Sequence, residues 1–404
     1  MTHRIIPADP FTIAVSDDEI DDLQRRLAAT RLPNEPLGNE HWDYGTNLSY
    51  MEKLLSYWRN DFDWRAQEEN LNRFPQYRAT LKNEDGEEHT IHFIYERGSG
   101  DSPVPLIMTH GWPSTFREFL DVVGPLAHPE KYGREGPAFD VIVPSLVGYG
   151  FSSIPRKPIG PARIADLWHR LMTEVLGYER YAAEAGDWGS FVTSRLALQH
   201  SDSVMGIHLT MLPLRPSLKH ESQPPVSEKE AHWIATMQKW WRQEEGYRSI
   251  QSTKPMALAF GVMDSPAGLA GWLADKYYRL GDTDKTDTMQ GMIARFPFDA
   301  ILTQFSIYWF TGTINSANTL YKAGPAEGSA LLKPGEKVTV PTAYSEYPID
   351  VLPETPRSWA ERSYNIARWR MMDRGGHFAA MEEPELFADD VRDAFREMGI
   401  TQGR

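Results

Sequence analysis

Three short segments hold residue types and spacings that could do chemistry. In Ala185-Gly186-Asp187-Trp188-Gly189 a carboxylate sits among small residues, between an apolar run, Tyr181–Ala185, and a helical pattern. Small residues on both sides of a central nucleophile permit the sharp strand-to-helix turn that lifts its side chain above a sheet. A carboxylate held there can displace a leaving group at an sp³ carbon and leave an alkyl ester on the enzyme. The plain alternative is an Asp that only caps the next helix; the small residue on each side weighs against it. The second segment, Thr109-His110-Gly111-Trp112-Pro113, follows another apolar run. A glycine turn at a strand's C-terminal end can aim a backbone N–H into a crevice, where it would meet a developing oxyanion. An ordinary strand-to-helix turn is its alternative. The third, Arg374-Gly375-Gly376-His377-Phe378, lies after the last strand pattern and before the last helix. That late position is where a protein with such a nucleophile turn keeps its histidine base. The order nucleophile, acid, His then asks for a carboxylate after the strand pattern Val338–Ala343. Glu346, Asp350 and Glu354 all qualify, and pattern alone does not choose among them. His89-Thr90-Ile91-His92 lacks a third ligand nearby and reads as strand filling, not as a metal site.

These segments need elements to hold them. Apolar runs at Val104–Thr109, Phe139–Pro144, Tyr181–Ala185, Val204–Thr210, Val338–Ala343 and Asn365–Met371 read as strands. Helical patterns stand between them, from about Ser114, over Ala162–Leu176 and over Trp188–Gln199; a last amphipathic helix covers Pro384–Met398. This alternation predicts a largely parallel sheet with helices on both faces. The first 80 or so residues read as helical. Ser16 can cap a helix carrying Ile20, Leu23 and Leu27, with Pro33 ending it, and Leu48–Arg59 reads as a second helix. Tyr77–Glu96 alternates around Asp85-Gly86 and predicts a hairpin. From Pro213 to about Ser329 the strand rhythm stops, and a Trp-rich helical block is expected to form a lid.

Composition closes off other readings. The chain has 404 residues, 41% of them hydrophobic and 24% charged, which is the balance of a globular protein. Its formal charge of −14 with no basic run is a poor match for nucleic acid or an anionic membrane. The absence of cysteine removes disulfides, thiol nucleophiles and Cys-ligated metals. The first twenty residues hold no apolar stretch long enough for a signal peptide or membrane anchor, so a soluble, cytoplasmic protein is expected.

Taken together, the segments resemble the epoxide hydrolases of the microsomal and juvenile-hormone type. The resemblance runs from Pro10-Phe11-Thr12-Ile13 and Asp63-Trp64-Arg65 through the three segments above, Gly148-Tyr149-Gly150-Phe151-Ser152-Ser153, Gln251-Ser252-Thr253-Lys254-Pro255, Asp264–Ala270 and Pro356-Arg357-Ser358-Trp359. It implies an α/β-hydrolase fold, a mostly parallel sheet flanked by helices, with a helical lid and an N-terminal helical extension. The implied layout is an N-terminal region over 1–90, core over 91–212, lid over 213–329 and core again over 330–404. It implies Asp187 as nucleophile, His377 as general base, and Asp350, in Tyr347-Pro348-Ile349-Asp350, as the acid. Tyr247 and Tyr321 match the family's lid tyrosines, which hydrogen-bond and protonate the ring oxygen. The backbone N–H groups of Trp112 and Trp188 would form the oxyanion hole. The expected reaction takes an epoxide and water to a vicinal diol, with no cofactor and no metal. Lid aromatics suggest a lipophilic substrate; no nucleic-acid partner is expected, and a homodimer stays open. The chain departs from the pattern at Ala185, where glycine is usual, and at Glu184, where glutamine is usual, which would set a charged group beneath the turn. Two rivals remain: a haloalkane dehalogenase-like enzyme, with the Trp188 indole on the halide, and a non-catalytic binder of apolar ligands.

Overall fold

Among the described residues, nine strands form one sheet in the order β1-β2-β3-β5-β4-β6-β7-β8-β9. They are β1 (Asp9–Phe11), β2 (Gln76–Lys82), β3 (Glu88–Glu96), β4 (Val104–Thr109), β5 (Phe139–Pro144), β6 (Tyr181–Ala185), β7 (Val204–Leu209), β8 (Val338–Glu346) and β9 (Tyr364–Met371). The computed structural model describes residues 6–214, 224–350 and 354–403. The first five residues, 215–223 of the expected helical block and 351–353 of the acid-bearing segment lie outside that description.

From β5 to β9 the pairings are parallel, while β1, β2 and β3 add an antiparallel edge. Central strands covered on both faces need apolar residues at every position, and β4, β5 and β6 are buried throughout. Their side chains divide by parity. Leu106, Met108 and Ala182 pack with α4 (Leu120–Ala127) and the last helix; Ile107, Ala183 and Ala185 pack on the opposite face with Trp168 and Leu196.

The N-terminal region carries α1 (Asp17–Ala28), α2 (Leu48–Asn60) and α3 (Trp64–Asn72). The Ser16 hydroxyl accepts from the Glu19 N–H and the Glu19 carboxylate accepts from the Ser16 N–H, so α1 starts on a reciprocal cap. Further along lie α5 (Pro161–Arg170) and α6 (Asp187–Gln199). The helical insertion follows as α7 (Glu228–Glu244), α8 (Gly246–Thr253), α9 (Pro255–Asp264), α10 (Pro266–Leu280), α11 (Thr288–Arg295), α12 (Phe298–Thr311) and α13 (Ile314–Glu327). Three helices close the chain: α14 (Arg357–Ala360), α15 (Ala379–Glu382) and α16 (Pro384–Glu397).

The structure departs from the sequence reading in a few places. β1 is a strand where only helix was expected; its three residues are too few to show an alternation, and pairing with β2 creates it. β8 runs on to Glu346 because Tyr344, Ser345 and Glu346 pair with Trp369, Arg370 and Met371 of β9. The helix expected from Ser114 begins as a 3₁₀ turn over Phe116–Phe119, and α5 ends in a π-helical turn over Leu171–Val175.

Candidate active site

β4 and β6 are parallel neighbours with Thr109 opposite Ala185, so the turns leaving both strands emerge side by side. This register brings the Trp112 amide to Asp187: its N–H donates to Oδ1 at 2.7 Å. Asp187 has φ +43°, a left-handed backbone that a non-glycine residue adopts at a cost and that tends to mark functional turns. The small neighbours make the approach possible. A Cβ at Gly189 would stand 1.9 Å from the Thr109 carbonyl oxygen, and one at Gly111 would stand 2.2 Å from Asp187 Oδ1. The Trp188 amide follows in the first turn of α6, where a helix has no internal acceptor for its N–H groups. Asp187 is thus the first residue of α6 and not a bare loop carboxylate; its side chain keeps 18% of its exposure.

His377 reaches the same point from the far side. Its Nε2 lies 3.3 Å from Asp187 Oδ2, and its Nδ1–H donates to Asp350 Oδ1 at 2.5 Å. The ring is buried. Burial opposes protonation, but the flanking carboxylates outweigh it and hold the His377 pKa well above the ordinary histidine value. The loop is fixed at both ends: the His377 N–H donates to the Leu280 carbonyl at 3.0 Å and the Phe378 N–H to Glu382 Oε1 at 2.9 Å. Burial pushes the Glu382 carboxyl up to about 7 against the pull of the Asp282 and Phe378 N–H donors.

Of the three carboxylates offered by sequence, the structure brings Asp350 alone to His377. Glu346 is buried at the end of β8, where its Oε1 accepts from the Thr355 N–H at 2.6 Å; Glu354 is exposed. Tyr247, from α8, and Tyr321, from α13, stand together over the turn. Tyr247 lies parallel to the Trp112 ring, with centroids 5.3 Å apart and 8° between planes. Tyr321 meets Tyr247 at 5.9 Å and Trp188 at 4.9 Å, each edge to face. Burial raises the pKa of both phenols, and the nearby Asp187 charge adds to the effect.

Two groups around the site, Lys276 and Glu118, carried no signal in the sequence. Lys276, within α10, is buried with its Nζ over the Tyr247 ring. Glu118, from the 3₁₀ turn, is buried within electrostatic reach of His377 and Asp187, and burial pushes its carboxyl up to about 8. A single charged residue inside an apolar pattern looks like any solvated one until tertiary packing closes over it. Glu184, beneath the turn, is fully buried, and its Oε1 lies 3.7 Å from His208 Nδ1. His208 in turn faces Asp390, which pairs with Arg368 at 2.7 Å. His89 and His92 fill the sheet; His92 hydrogen-bonds Ser145 and Gln76, and burial depresses its pKa to about 3. Among the described residues no cluster of three or more His, Asp or Glu is placed to hold a metal ion.

Known proteins resemble the chain over nearly its whole length. The profile of the epoxide hydrolase N terminus matches residues 8–119, and that of the alpha/beta hydrolase fold matches residues 104–246. Epoxide hydrolase 1 of Sus scrofa is 36% identical, over 95% of this chain and 87% of its own. The chain belongs to the epoxide hydrolase family. The juvenile hormone epoxide hydrolase of Manduca sexta is 33% identical, over 95% of this chain and 84% of its own. The crystal structure of the juvenile hormone epoxide hydrolase of the silkworm Bombyx mori superposes with a TM-score of 0.81 at 27% identity, covering 98% of this chain and 95% of that one. Like these epoxide hydrolases, the chain is a hydrolase on an α/β-hydrolase sheet. No helix among its described residues is long and apolar enough to cross a membrane.

Proposed function

We propose that the chain hydrates a lipophilic epoxide to a vicinal diol through a covalent ester on Asp187, with residues 213–329 as the lid that brings Tyr247 and Tyr321 to the ring oxygen. The observation that carries this reading is the unbroken series Asp187, His377, Asp350 set against two adjacent phenols. An Asp187 oxygen forms a bond to one ring carbon as the carbon–oxygen bond breaks. The departing oxygen keeps the electron pair and takes a phenol proton, so a poor alkoxide leaving group leaves as an alcohol. Trp112, Trp188, Tyr247 and Tyr321 form an aromatic wall suited to an apolar substrate.

Esterification then changes His377. While Asp187 is an anion 3.3 Å away, it favours the imidazolium. The ester is neutral, so that support is lost and the imidazolium gives up its proton, which can restore the phenol. His377 is then a base for water, with Asp350 holding the Nδ1–H tautomer. Water attacks the ester carbonyl, and the amides of Trp112 and Trp188 receive the oxyanion. Collapse releases the diol and regenerates the Asp187 carboxylate.

A dehalogenase would use the Trp188 indole N–H for halide, but a halide leaving group needs no proton, and the paired phenols of Tyr247 and Tyr321 argue against that reading. One experiment tests the reading. In a single turnover in ¹⁸O-water, the ester route puts unlabelled Asp187 oxygen into the diol and the label into the protein. Label in the first diol would refute it, and epoxide binding with no diol would favour a non-catalytic binder. On the same footing we place the protein in the cytoplasm; fractionation tests this, and sedimentation decides between a monomer and a homodimer.

A further inference from the structure

Tyr247 has a neighbour that the mechanism does not use. Lys276 is 7% exposed, a rare degree of burial for a lysine. Its Nζ stands 4.5 Å from the centroid of the Tyr247 ring. Its counter-ion is Asp275, with Oδ2 at 2.6 Å. The Tyr247 ring is therefore held against an indole and an ammonium. The ring neighbours of Tyr321 are Trp112, Trp188 and Tyr247, and no cation stands over it among the described residues.

This asymmetry matters when the epoxide opens. The phenol that gives its proton to the departing oxygen keeps the O–H electron pair and becomes a phenolate, so its ring face gains negative charge. An ammonium over the face attracts that charge more strongly than it attracts the neutral ring. An interaction that grows toward the transition state accelerates the step. We propose that Lys276 is a positioning residue for ring opening: it stabilises the phenolate forming on Tyr247 and thereby makes Tyr247, not Tyr321, the proton donor. Tyr321 then serves as a hydrogen-bond donor to the same oxygen. This rests on the reading of Tyr247 as a ring-opening acid.

The other groups facing Tyr247 are accounted for. Burial and the Asp187 charge oppose its ionisation, as does Glu244 of α7; the neighbouring Tyr321 and Arg248 of α8 favour it. Ionisation of Tyr321 is opposed by burial, by Tyr247 and by the Asp187 charge. Asp275 shares the ammonium charge, so the expected effect is modest, about tenfold in the alkylation rate.

The test removes the charge and keeps the stem. In single-turnover kinetics K276M should slow ester formation about tenfold and leave ester hydrolysis and the epoxide Kd nearly unchanged, and K276R should recover most of the rate. The same loss should appear in a Y321F background and vanish in Y247F. Independently of turnover, 3,5-difluorotyrosine placed at position 247 is acidic enough to titrate in an accessible range. Its midpoint, read by ¹⁹F NMR, should rise by about one unit in K276M and return in K276R. An unmoved midpoint together with alkylation within about twofold of wild type in folded K276M overturns the proposal. A moved midpoint with full alkylation in Y247F overturns the donor role of Tyr247, and the proposal with it, while leaving the ammonium contact intact. Should K276M fail to fold, D275N carries the opposite forecast: a lower midpoint and faster alkylation, with no change in either counting against the idea.

Discussion

Replacing Asp187 by Asn reproduces, in charge, the ester stage of the cycle, and it should lower the pKa of His377. The two groups stand 3.3 Å apart. At that distance, with an effective interior dielectric of about 20, two unit charges interact by about 5 kcal/mol. The Asp187 side chain is 18% exposed, and solvent there weakens the pair, so about 2–3 kcal/mol is the working figure. At about 1.4 kcal/mol per pKa unit, the His377 midpoint should fall by about two units. The sign is fixed: removing an adjacent anion disfavours the imidazolium, and the Asp350 partner is untouched. The assay is ¹⁵N NMR of labelled histidine across pH, with the His377 signal assigned from its loss in His377→Gln. A midpoint in the folded variant within about half a unit of wild type would sink the argument that esterification turns His377 into a base.

His377→Gln should alkylate once and stall, because the attack by Asp187 needs no base; mass spectrometry should find the protein heavier by one epoxide, on the peptide holding Asp187, and an unmodified protein that demonstrably binds the epoxide would contradict this. Tyr247→Phe and Tyr321→Phe should each slow ring opening, the pair together by more than about 10²-fold; full activity in both single variants would move the acid elsewhere. Asp350→Ala should lose about 10²–10⁴-fold in ester hydrolysis, while Glu354→Ala keeps its activity. Glu346→Ala should lose stability before chemistry, since its carboxylate holds the Thr355 N–H; a thermal melt and a rate together separate the two. Glu118 has its folded pKa raised by burial to about 8, so the folded state binds more protons than the unfolded one as pH climbs toward 8, and stability should fall over that window. Glu118→Gln should flatten that fall in melts taken between pH 5 and 8.

The strands that lead to Asp187 and the Trp112 amide were legible to the residue, because central parallel strands leave short, largely apolar runs that end at a glycine turn. His377 was legible for a related reason, since its Gly-Gly loop marks where the last strand stops. Asp350 was not separable from Glu346 and Glu354 by pattern. What distinguishes them is direction: β8 runs on and buries Glu346 against Thr355, which leaves Asp350 to turn back toward the histidine. Tyr247 and Tyr321 came from motif resemblance alone, since 17 tyrosines give no local reason to prefer any. Lys276 and Glu118 were invisible because their significance lies in what encloses them, and enclosure is a property of tertiary packing.

The N-terminal helices and the loop between α1 and α2 grip the insertion at several separate points. Arg26 of α1 holds Asp264 at 2.8 Å and the Thr46 hydroxyl donates to the Gly271 carbonyl at 2.6 Å; Arg279 donates to the Trp42 carbonyl, the Trp42 ring stacks on Tyr278 at 4.4 Å, and Tyr57 donates to Asp299 at 3.0 Å. The cover over the phenols is thus strapped down by a segment more than two hundred residues away in sequence. In recombination between relatives, the unit that can be exchanged is therefore not the insertion alone. A graft that moves residues 228–327 without their partners in 17–72 would arrive with its fastenings cut, and one that moves both would carry its own frame.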